Sequence, residues 1–292
     1  MRWYTIKNMA RAIYKDAECN HTMAIAAGLS YYFLLSLFPL LIFLAALLAF
    51  VPVPHLFDAI LDLMAKLVPP DAMGTVRAIL LGVMNPPRSG LLSFGLLATL
   101  WAATGGSAAM IEALNIAYNV NETRAYWKTR LLAIGLTLVV GGLTLIGLCF
   151  TLLGPEFGFW MERHRFVGPA FSFAWPYLRW GIILVTVVLA IEVLYFYGPN
   201  VKQSFRCTAP GAFLGVTVWI AISFSLGGYI ARFANYNATY GTLGGVIALM
   251  LWFYFSALAI LIGAQLNAEL LKAAGKVLPV KEILPPALPK AA

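Results

Sequence analysis

Charge is scarce in this sequence. Asp, Glu, Lys and Arg make up 11% of its 292 residues, whereas soluble domains carry about 25%. Hydrophobic residues reach 61%. This composition excludes an ordinary water-soluble domain and predicts a chain embedded in lipid.

Residues that serve catalysis and metal binding are also few. The sequence has three cysteines and three histidines, and none of them forms a C-x-x-C or H-E-x-x-H pattern. G-x-S-x-G and phosphate-loop patterns are missing as well, and the predicted cytoplasmic side has no aspartate pair for a two-metal nuclease. We therefore expect no disulfide framework, no metal, no cofactor and no enzymatic activity.

Long apolar runs fill most of the chain. A helix rises about 1.5 Å per residue, so roughly 20 apolar residues cross a ~30 Å hydrocarbon core. Because only helices and closed barrels satisfy their own backbone in lipid, we predict an all-α, polytopic membrane helix bundle with six transmembrane helices. The predicted spans are 29–51, 91–118, 131–153, 178–198, 210–232 and 243–270.

The distribution of basic residues predicts the orientation of the bundle. Lys and Arg are more numerous in the N-terminal segment, the second loop, the fourth loop and the tail than in the other loops. Basic residues collect on the cytoplasmic side of membrane proteins, so both termini are expected to be cytoplasmic. The net charge of +8 follows from this topology, and no nucleic-acid partner is expected.

Three segments lie outside the spans. Residues 3–17 predict an amphipathic helix, either in the headgroup plane or as an ordinary cytoplasmic lead-in helix. Residues 52–90 predict short amphipathic helices in the first outer loop, on or re-entering the outer leaflet, with a soluble cap as the alternative. Residues 1–275 are interpreted as a single membrane domain and 276–292 as a flexible cytoplasmic tail.

Polar residues of the predicted spans gather toward the cytoplasmic half. An ionisable group inside a membrane needs a partner, water or a function. Glu192 lies about 12 residues beyond Trp180, or ~18 Å along a helix, and its burial would favour a protonated, proton-coupling carboxyl. The other candidates for substrate binding or coupling are Glu112, Asn115, Tyr31, Tyr32, Gln265, Asn267 and Glu269. They indicate either a vestibule open to the cytoplasm or, for Glu112 and Glu269, side chains at the headgroup level.

Two further groups of residues complete the candidate site. Pro39 predicts a kink in the first span, and Gly105 and Gly106 are either a hinge or a point of close helix packing. A basic rim consists of Arg124, Lys128, Arg130, Lys202 and Arg206. The rim could gather anionic headgroups, or it could reflect membrane topology alone.

Three segments carry a resemblance to a known family. They are 29–41 (LSYYFLLSLFPLL), 113–131 (ALNIAYNVNETRAYWKTRL) and 240–254 (YGTLGGVIALMLWFY), the last continuing to 263–269 (GAQLNAE). With these segments the chain resembles the YihY/BrkB family of bacterial inner-membrane proteins, once labelled ribonuclease BN. The family positions present in this chain are Tyr31, Pro39, Asn115, Tyr118, Arg124, Lys128, Gly241, Gly263, Asn267 and Glu269. Gln265 departs from the acidic residue expected in many relatives.

The resemblance implies six spans in a bacterial inner membrane and no settled biochemical activity. Members are usually described as candidate transporters, and one branch is linked to lipid A precursors. Our first hypothesis is a transporter or flippase-like protein for an anionic amphiphile, such as a lipid or lipid-linked envelope precursor. The alternative is a non-transporting membrane scaffold or envelope-assembly protein, and a remote one is a tRNA-processing ribonuclease. Membrane lipids are the expected partners.

Reporter fusions test the predicted orientation. Green fluorescent protein fused after Gly275 is expected to fluoresce, and alkaline phosphatase at that position is expected to be inactive, because the basic flanks keep this end in the cytoplasm. Alkaline phosphatase fused after Arg165 should be active. Active phosphatase at the C-terminus would reverse the topology.

Overall fold

The computed structural model describes residues 6–49, 99–163, 169–232 and 237–275, and every regular element in these ranges is an α-helix. The expected outer-loop helices of 52–90 and the tail of 276–292 lie outside the described residues. The helices are α1 Ile6–Cys19, α2 Thr22–Ala49, α3 Gly105–Ala117, α4 Tyr126–Leu152, α5 Gly154–Arg163, α6 Pro169–Tyr197, α7 Phe205–Arg232 and α8 Asn237–Ala273. The all-α prediction is thereby confirmed for the described part of the chain.

Among the described residues, four helices are long and apolar enough to cross a membrane. The segments are Tyr126–Thr151, Phe173–Tyr197, Phe205–Tyr229 and Gly244–Ala273, and they correspond to the last four predicted spans. A shorter apolar segment, Thr22–Leu37, lies in α2. Parts of the first two predicted spans lie among residues 50–98, so the count of six stays a prediction.

Large apolar side chains on the outside of these helices suit contact with lipid. Leu131, Val185, Phe213 and Phe224 are all mostly exposed. In water an apolar surface of this kind would be an aggregation or interaction site. In a bilayer the same apolar surface faces apolar lipid, which agrees with the membrane interpretation.

Several helices extend beyond their apolar runs. Helix α4 begins at Tyr126 and α7 at Phe205, before the predicted spans start, and α8 continues to Ala273. Apolar length measures only the part of a helix that lies in hydrocarbon, whereas the hydrogen-bonded backbone continues through polar residues. Helix α5 was not predicted from the sequence. At its first residue, the Gly154 carbonyl accepts a 2.7 Å hydrogen bond from the indole of Trp175.

The chain divides into two compact units, Tyr31–Gly106 and the remaining residues. In the first, helix α2 stays helical through Pro39. The helical residues from 99 onward are interrupted at Thr104, directly before Gly105. The Gly106 amide donates a 2.8 Å hydrogen bond to the Ser36 hydroxyl. A methyl group added at Gly106 would lie 3.1 Å from the Phe33 ring, so Gly106 permits close packing. Its role as a hinge stays a prediction.

In the larger unit, helices α7 and α8 approach each other at two glycines. A methyl group at Gly211 would collide with the Gly263 carbonyl, and one at Gly263 would collide with the Gly211 carbonyl and the Tyr195 hydroxyl. That hydroxyl donates a 2.5 Å hydrogen bond from α6 to the Ile260 carbonyl of α8. Small residues therefore bring α7 and α8 into backbone contact.

Helix α3 ends in a turn that begins the loop to α4. Asn119 has φ 55°, a left-handed conformation that Asn tolerates better than most residues. The Val120 amide donates to the Asn115 carbonyl and the Asn119 amide to the Ile116 carbonyl, each at 2.9 Å. This pair of hydrogen bonds is a Schellman motif, and it turns the chain across the end of the bundle.

The glycine contact yields a matched pair of substitutions on α7. Gly211→Ala is expected to destabilise the protein because the new methyl group has no space, and overpacking usually costs ~1–3 kcal/mol. Gly227→Ala is the control, since nothing lies within 4 Å of a methyl group there. Thermal unfolding in detergent should show a lower Tm for Gly211→Ala alone. Equal Tm values for the two variants would contradict the packing.

Candidate functional site

Glu192 is a buried carboxyl in α6. Its side chain is only 7% exposed, and in the described part of the chain no Lys, Arg or His forms an ion pair with it. Its hydrogen-bonding contact among the described residues is the Thr208 hydroxyl of α7, with 3.5 Å between Thr208 Oγ1 and Glu192 Oε1. The carboxyl therefore lies between two membrane-spanning helices with one weak polar contact.

Asn267 holds the backbone of α7 from the neighbouring helix α8. Its Oδ1 accepts a 2.8 Å hydrogen bond from the Gly211 amide, and its Nδ2 donates a 2.9 Å hydrogen bond to the Thr208 carbonyl. Pro210 lies between these two residues and has no amide hydrogen of its own. We call this arrangement the Asn267 clamp; it fixes the backbone on either side of the proline.

Tyr118 adds a buried hydroxyl to the same region. The residue is fully buried, and its hydroxyl makes no hydrogen bond of ordinary geometry, although the amide side chains of Gln203 and Asn267 lie beside it. Gln203 donates a 2.6 Å hydrogen bond to the Tyr195 carbonyl. The end of α3, the end of α6 and the start of α7 thus converge on one group of polar side chains.

Asn115 ties the loop after α3 to the loop after α6. Its Nδ2 donates to Glu122 at 2.9 Å, and its Oδ1 accepts from the Asn200 amide at 2.7 Å. Asn200 also donates through its side chain to the Thr123 hydroxyl at 2.7 Å. The two loops therefore lie at the same end of the bundle, which we call the loop end.

Arg124 closes the end of α6. Its guanidinium donates to the Gly198 carbonyl at 2.7 Å and to the Tyr197 carbonyl at 3.3 Å. It also forms a 2.6 Å ion pair with Glu122. Because the last carbonyls of a helix lack partners within the helix and carry partial negative charge, Arg124 acts as a C-terminal cap.

The ionisation of Glu122 is controlled by this cap. Partial burial alone would raise the pKa of Glu122, but hydrogen bonds from Arg124 and Asn115 and the positive charge of Arg124 outweigh burial and lower the pKa. The carboxylate is thus the form that the folded protein favours.

The remaining polar residues of α8 connect it to the start of the described chain. Gln265 is fully buried and donates a 2.7 Å hydrogen bond to the Thr22 hydroxyl at the start of α2. Glu269 pairs with Lys272 at 2.6 Å, and Lys272 pairs with Asp16 of α1 at 2.9 Å. The predicted N-terminal helix is present as Ile6–Cys19 and packs against α8; its place at the membrane interface stays a prediction.

The structure separates the predicted site residues into groups. Asn115, Glu192, Gln265, Asn267 and Glu269 are buried in the larger unit, whereas Glu112 is exposed. Tyr31 and Tyr32 belong to the smaller unit, where they are 52% and 48% exposed. Of the basic rim, Lys128, Lys202 and Arg206 are exposed, and Arg124 and Arg130 are partly covered.

Sequence reasoning missed the partners that complete this site. The missed residues are Glu122, Tyr195, Asn200, Gln203 and Thr208. Only Glu122 could have been identified from the sequence, because it lies two residues from Arg124. The others come from separate helices and loops, and short polar side chains in such places carry no pattern that names their partners.

The chain matches a sequence model of the family described as Virulence factor BrkB over residues 13–281. It is 39% identical over 249 residues to the Bacillus subtilis (strain 168) protein named "Putative ribonuclease-like protein YfkH", covering 85% of this chain and 89% of that protein. It is 28% identical to a "UPF0761 membrane protein" of Tolumonas auensis, covering 84% of this chain and 80% of that protein.

Another similar protein is a "UPF0761 membrane protein" of Alkalilimnicola ehrlichii, 28% identical over 84% of this chain. The chain spans 54% of the length of that relative, so the function of the longer protein applies to this chain only as a proposal. No solved structure matches the chain.

The cap predicts a dependence of stability on pH. The lowered pKa means that the Glu122 carboxylate stabilises the fold above its ordinary pKa of 4.5, and this contribution is lost as the pH falls through the lower folded-state value. Glu122→Gln is therefore expected to lower Tm near pH 7, by a small amount because the pair is partly exposed.

The difference in Tm between wild type and Glu122→Gln should shrink as the solution is acidified below about pH 4. Glu112→Gln, which changes an exposed carboxylate on α3, should leave the pH profile of Tm unchanged. A Glu122→Gln difference that persists undiminished in acid would show that the charge of Glu122 does not stabilise the fold.

Proposed function

Because this chain belongs to the Virulence factor BrkB family of membrane proteins, we propose that it moves an anionic amphiphile across a bacterial inner membrane. The substrate class is a lipid or a lipid-linked envelope precursor. The observation that carries the proposal is Glu192, a carboxyl buried between spanning helices without a basic partner among the described residues. A group so costly to place in a membrane is retained where it serves a function.

The position of Glu192 supports transport more than a purely structural role. The carboxyl lies near the loop end and contacts Thr208, whose carbonyl the Asn267 clamp holds. In the same region the Tyr118 hydroxyl makes no hydrogen bond of ordinary geometry. Buried polar atoms that lack partners are rare in a settled fold. A polar group passing through the bundle would find partners here.

The charge at the loop end supports an anionic substrate. Lys128, Lys202 and Arg206 are exposed there, and basic side chains beside a membrane attract anionic headgroups. Arg124 is engaged in the helix cap, so the attraction rests on the other basic residues. We assign the loop end and both termini to the cytoplasm, as the excess of basic residues favours.

A membrane scaffold is the second candidate, and one observation favours it. Other parts of the protein form hydrogen bonds with the polar groups of Asn115, Asn267 and Tyr195. Satisfied networks of this kind make a bundle rigid. A scaffold would hold envelope proteins together without moving lipid.

The name of the Bacillus relative raises RNA cleavage as a third candidate. We keep the non-enzymatic proposal because the sequence carries no nuclease-type pair of aspartates on the predicted cytoplasmic side. Purified protein supplied with Mg²⁺, Mn²⁺ or Zn²⁺ is expected to leave a tRNA precursor intact.

Reconstitution into liposomes tests the transport proposal. Wild type is expected to speed the exchange of a fluorescent anionic lipid between leaflets, measured by chemical quenching of the outer leaflet. Glu192→Gln should slow that exchange by at least about tenfold, equivalent to ~1.4 kcal/mol in the barrier.

Glu156→Gln provides the control because it removes an exposed carboxylate that lies outside the candidate site, and it should exchange lipid like wild type. Fluorescent zwitterionic lipid and a lipid-linked sugar precursor define the substrate class. Unaltered exchange in Glu192→Gln would remove this residue from the mechanism. Exchange no faster than in empty liposomes for every lipid would favour the scaffold.

A further inference from the structure

The Thr208 hydroxyl has two neighbours but only one hydrogen to donate. Thr208 Oγ1 lies 2.6 Å from the Phe205 carbonyl oxygen and 3.5 Å from Glu192 Oε1. A carbonyl oxygen can only accept a hydrogen bond, so the short contact takes the hydroxyl hydrogen. A lone pair of Thr208 therefore faces Glu192.

While the hydroxyl hydrogen is bonded to the Phe205 carbonyl, the contact between Thr208 and Glu192 needs a hydrogen from the carboxyl. An ionised carboxylate is an acceptor only, whereas a protonated one donates through its O–H. Two hydrogen-bond acceptors that face each other in a buried place would repel. Water does not screen this repulsion, since Glu192 is only 7% exposed.

Charged groups on the helices packed against α6 do not change this conclusion. Helix α6 packs against α4, α5 and α7. Their titratable and charged residues with described side chains are Tyr126, Lys128, Arg130 and Cys149 on α4, Glu156 on α5, and Arg206, Cys207 and Tyr229 on α7. Helix α8, which the Tyr195 hydroxyl joins to α6, adds Tyr254, Glu269 and Lys272. None of them forms an ion pair with Glu192. An unpaired buried charge is strongly disfavoured.

We propose that Glu192 is a proton-binding site, and that the bound proton fastens α6 to the first turn of α7 by donating to Thr208 Oγ1. Releasing the proton to water breaks the Glu192 O–H bond and leaves a carboxylate opposite the Thr208 lone pair. The Thr208 hydroxyl then either faces the carboxylate with a lone pair or turns away from the Phe205 carbonyl to donate to the carboxylate. Proton occupancy therefore decides whether the first turn of α7 keeps both of these hydrogen bonds or only one.

The first turn of α7 is built so that it can respond. Pro210 donates no hydrogen bond to the turn before it, which leaves Phe205–Thr208 less firmly joined to the rest of the helix. The Asn267 clamp holds the Thr208 carbonyl and the Gly211 amide from outside. When Glu192 loses its proton, the segment retains the clamp and loses either its tie to α6 or the hydrogen bond between Thr208 and the Phe205 carbonyl. Asn267 is therefore a positioning residue for this switch.

As a coupling device the switch rests on the transport function proposed above, with the proton as the coupling ion. The protonation of Glu192 can nevertheless be measured in protein that transports nothing. Infrared spectroscopy of the reconstituted protein near neutral pH is expected to show the carbonyl band of a protonated carboxylic acid. Glu192→Gln should abolish this band, and Glu112→Gln should leave it unchanged.

The hydroxyl partner has a matched control on the same helix. Thr208→Val should shift the frequency of the carboxylic acid band because the acceptor is lost. Thr217→Val should not shift it, since the Thr217 hydroxyl is exposed and bonds only to the Phe213 carbonyl of its own helix, at 2.7 Å. A wild-type protein without the band, or a band unaffected by Glu192→Gln, would overturn the proposal, and the wild-type spectrum needs no variant to fold.

Hydrogen–deuterium exchange measures the fastening itself. Raising the pH is expected to reduce the protection of the Cys207 amide, which donates a 2.9 Å hydrogen bond to the Ser204 carbonyl in this turn, after correction for the intrinsic rate. The loss should be at least about tenfold once Glu192 is ionised, because exchange follows local opening. Glu192→Gln keeps an N–H donor toward Thr208 and should stay protected across the same pH range. Protection that changes equally in both proteins would mean that the carboxyl does not fasten the turn.

The two proposals fail in different ways. If Glu192 is protonated and holds α7 but the protein moves no lipid, the transport proposal is wrong and the switch proposal stands. Lipid movement that requires Glu192 without a protonated carboxyl would leave transport and sink the switch.

Discussion

Polar groups placed in hydrocarbon must find their partners inside the protein, and the organisation of the loop end follows from this constraint. The Asn267 clamp satisfies it most completely. One amide side chain on α8 supplies both an acceptor and a donor to the backbone of α7, on either side of a proline that weakens the helix. Without the clamp, the Gly211 amide and the Thr208 carbonyl would lose their tie to α8 where the backbones of the two helices are in contact.

The glycine contact and the clamp depend on each other. Gly211 and Gly263 remove the side chains that would separate α7 from α8, and only at that separation can Asn267 reach the α7 backbone. The Tyr195 hydroxyl then bonds to α8 beside the same glycines, so α6 joins the pair. Arg124 and Asn115 continue the arrangement into the loops, where polar groups of one loop satisfy those of the other. Among the described residues, Thr208 is the hydrogen-bonding contact of the Glu192 side chain, which is why the protonation of Glu192 can matter.

Much of this organisation could be read from the sequence, and the reason differs from residue to residue. The last four spans were predictable because hydrophobic length is a local property, which the need to cross a fixed thickness makes visible. The burial of Glu192 followed from its depth within an apolar run. Helix α5 and the extensions of α4 and α7 were not predictable in the same way, since helix continues into polar sequence where backbone bonding allows it. Glu112 and Asn115 lie one helical turn apart, and the sequence predicted both as candidate site residues. Glu112 is nevertheless exposed and Asn115 is buried.

The sequence by itself determined that this protein is helical, that it belongs in a membrane and which of its residues are too polar to lie there without a reason. These properties follow from composition and apolar length, which act along the chain and need no knowledge of neighbours. Tertiary structure alone decided that Asn267 holds the backbone around Pro210, that Arg124 caps α6 and that the Thr208 hydroxyl lies opposite Glu192. Each of these depends on hydrogen-bond distances between segments far apart in the chain, and hydrogen bonds act only at contact.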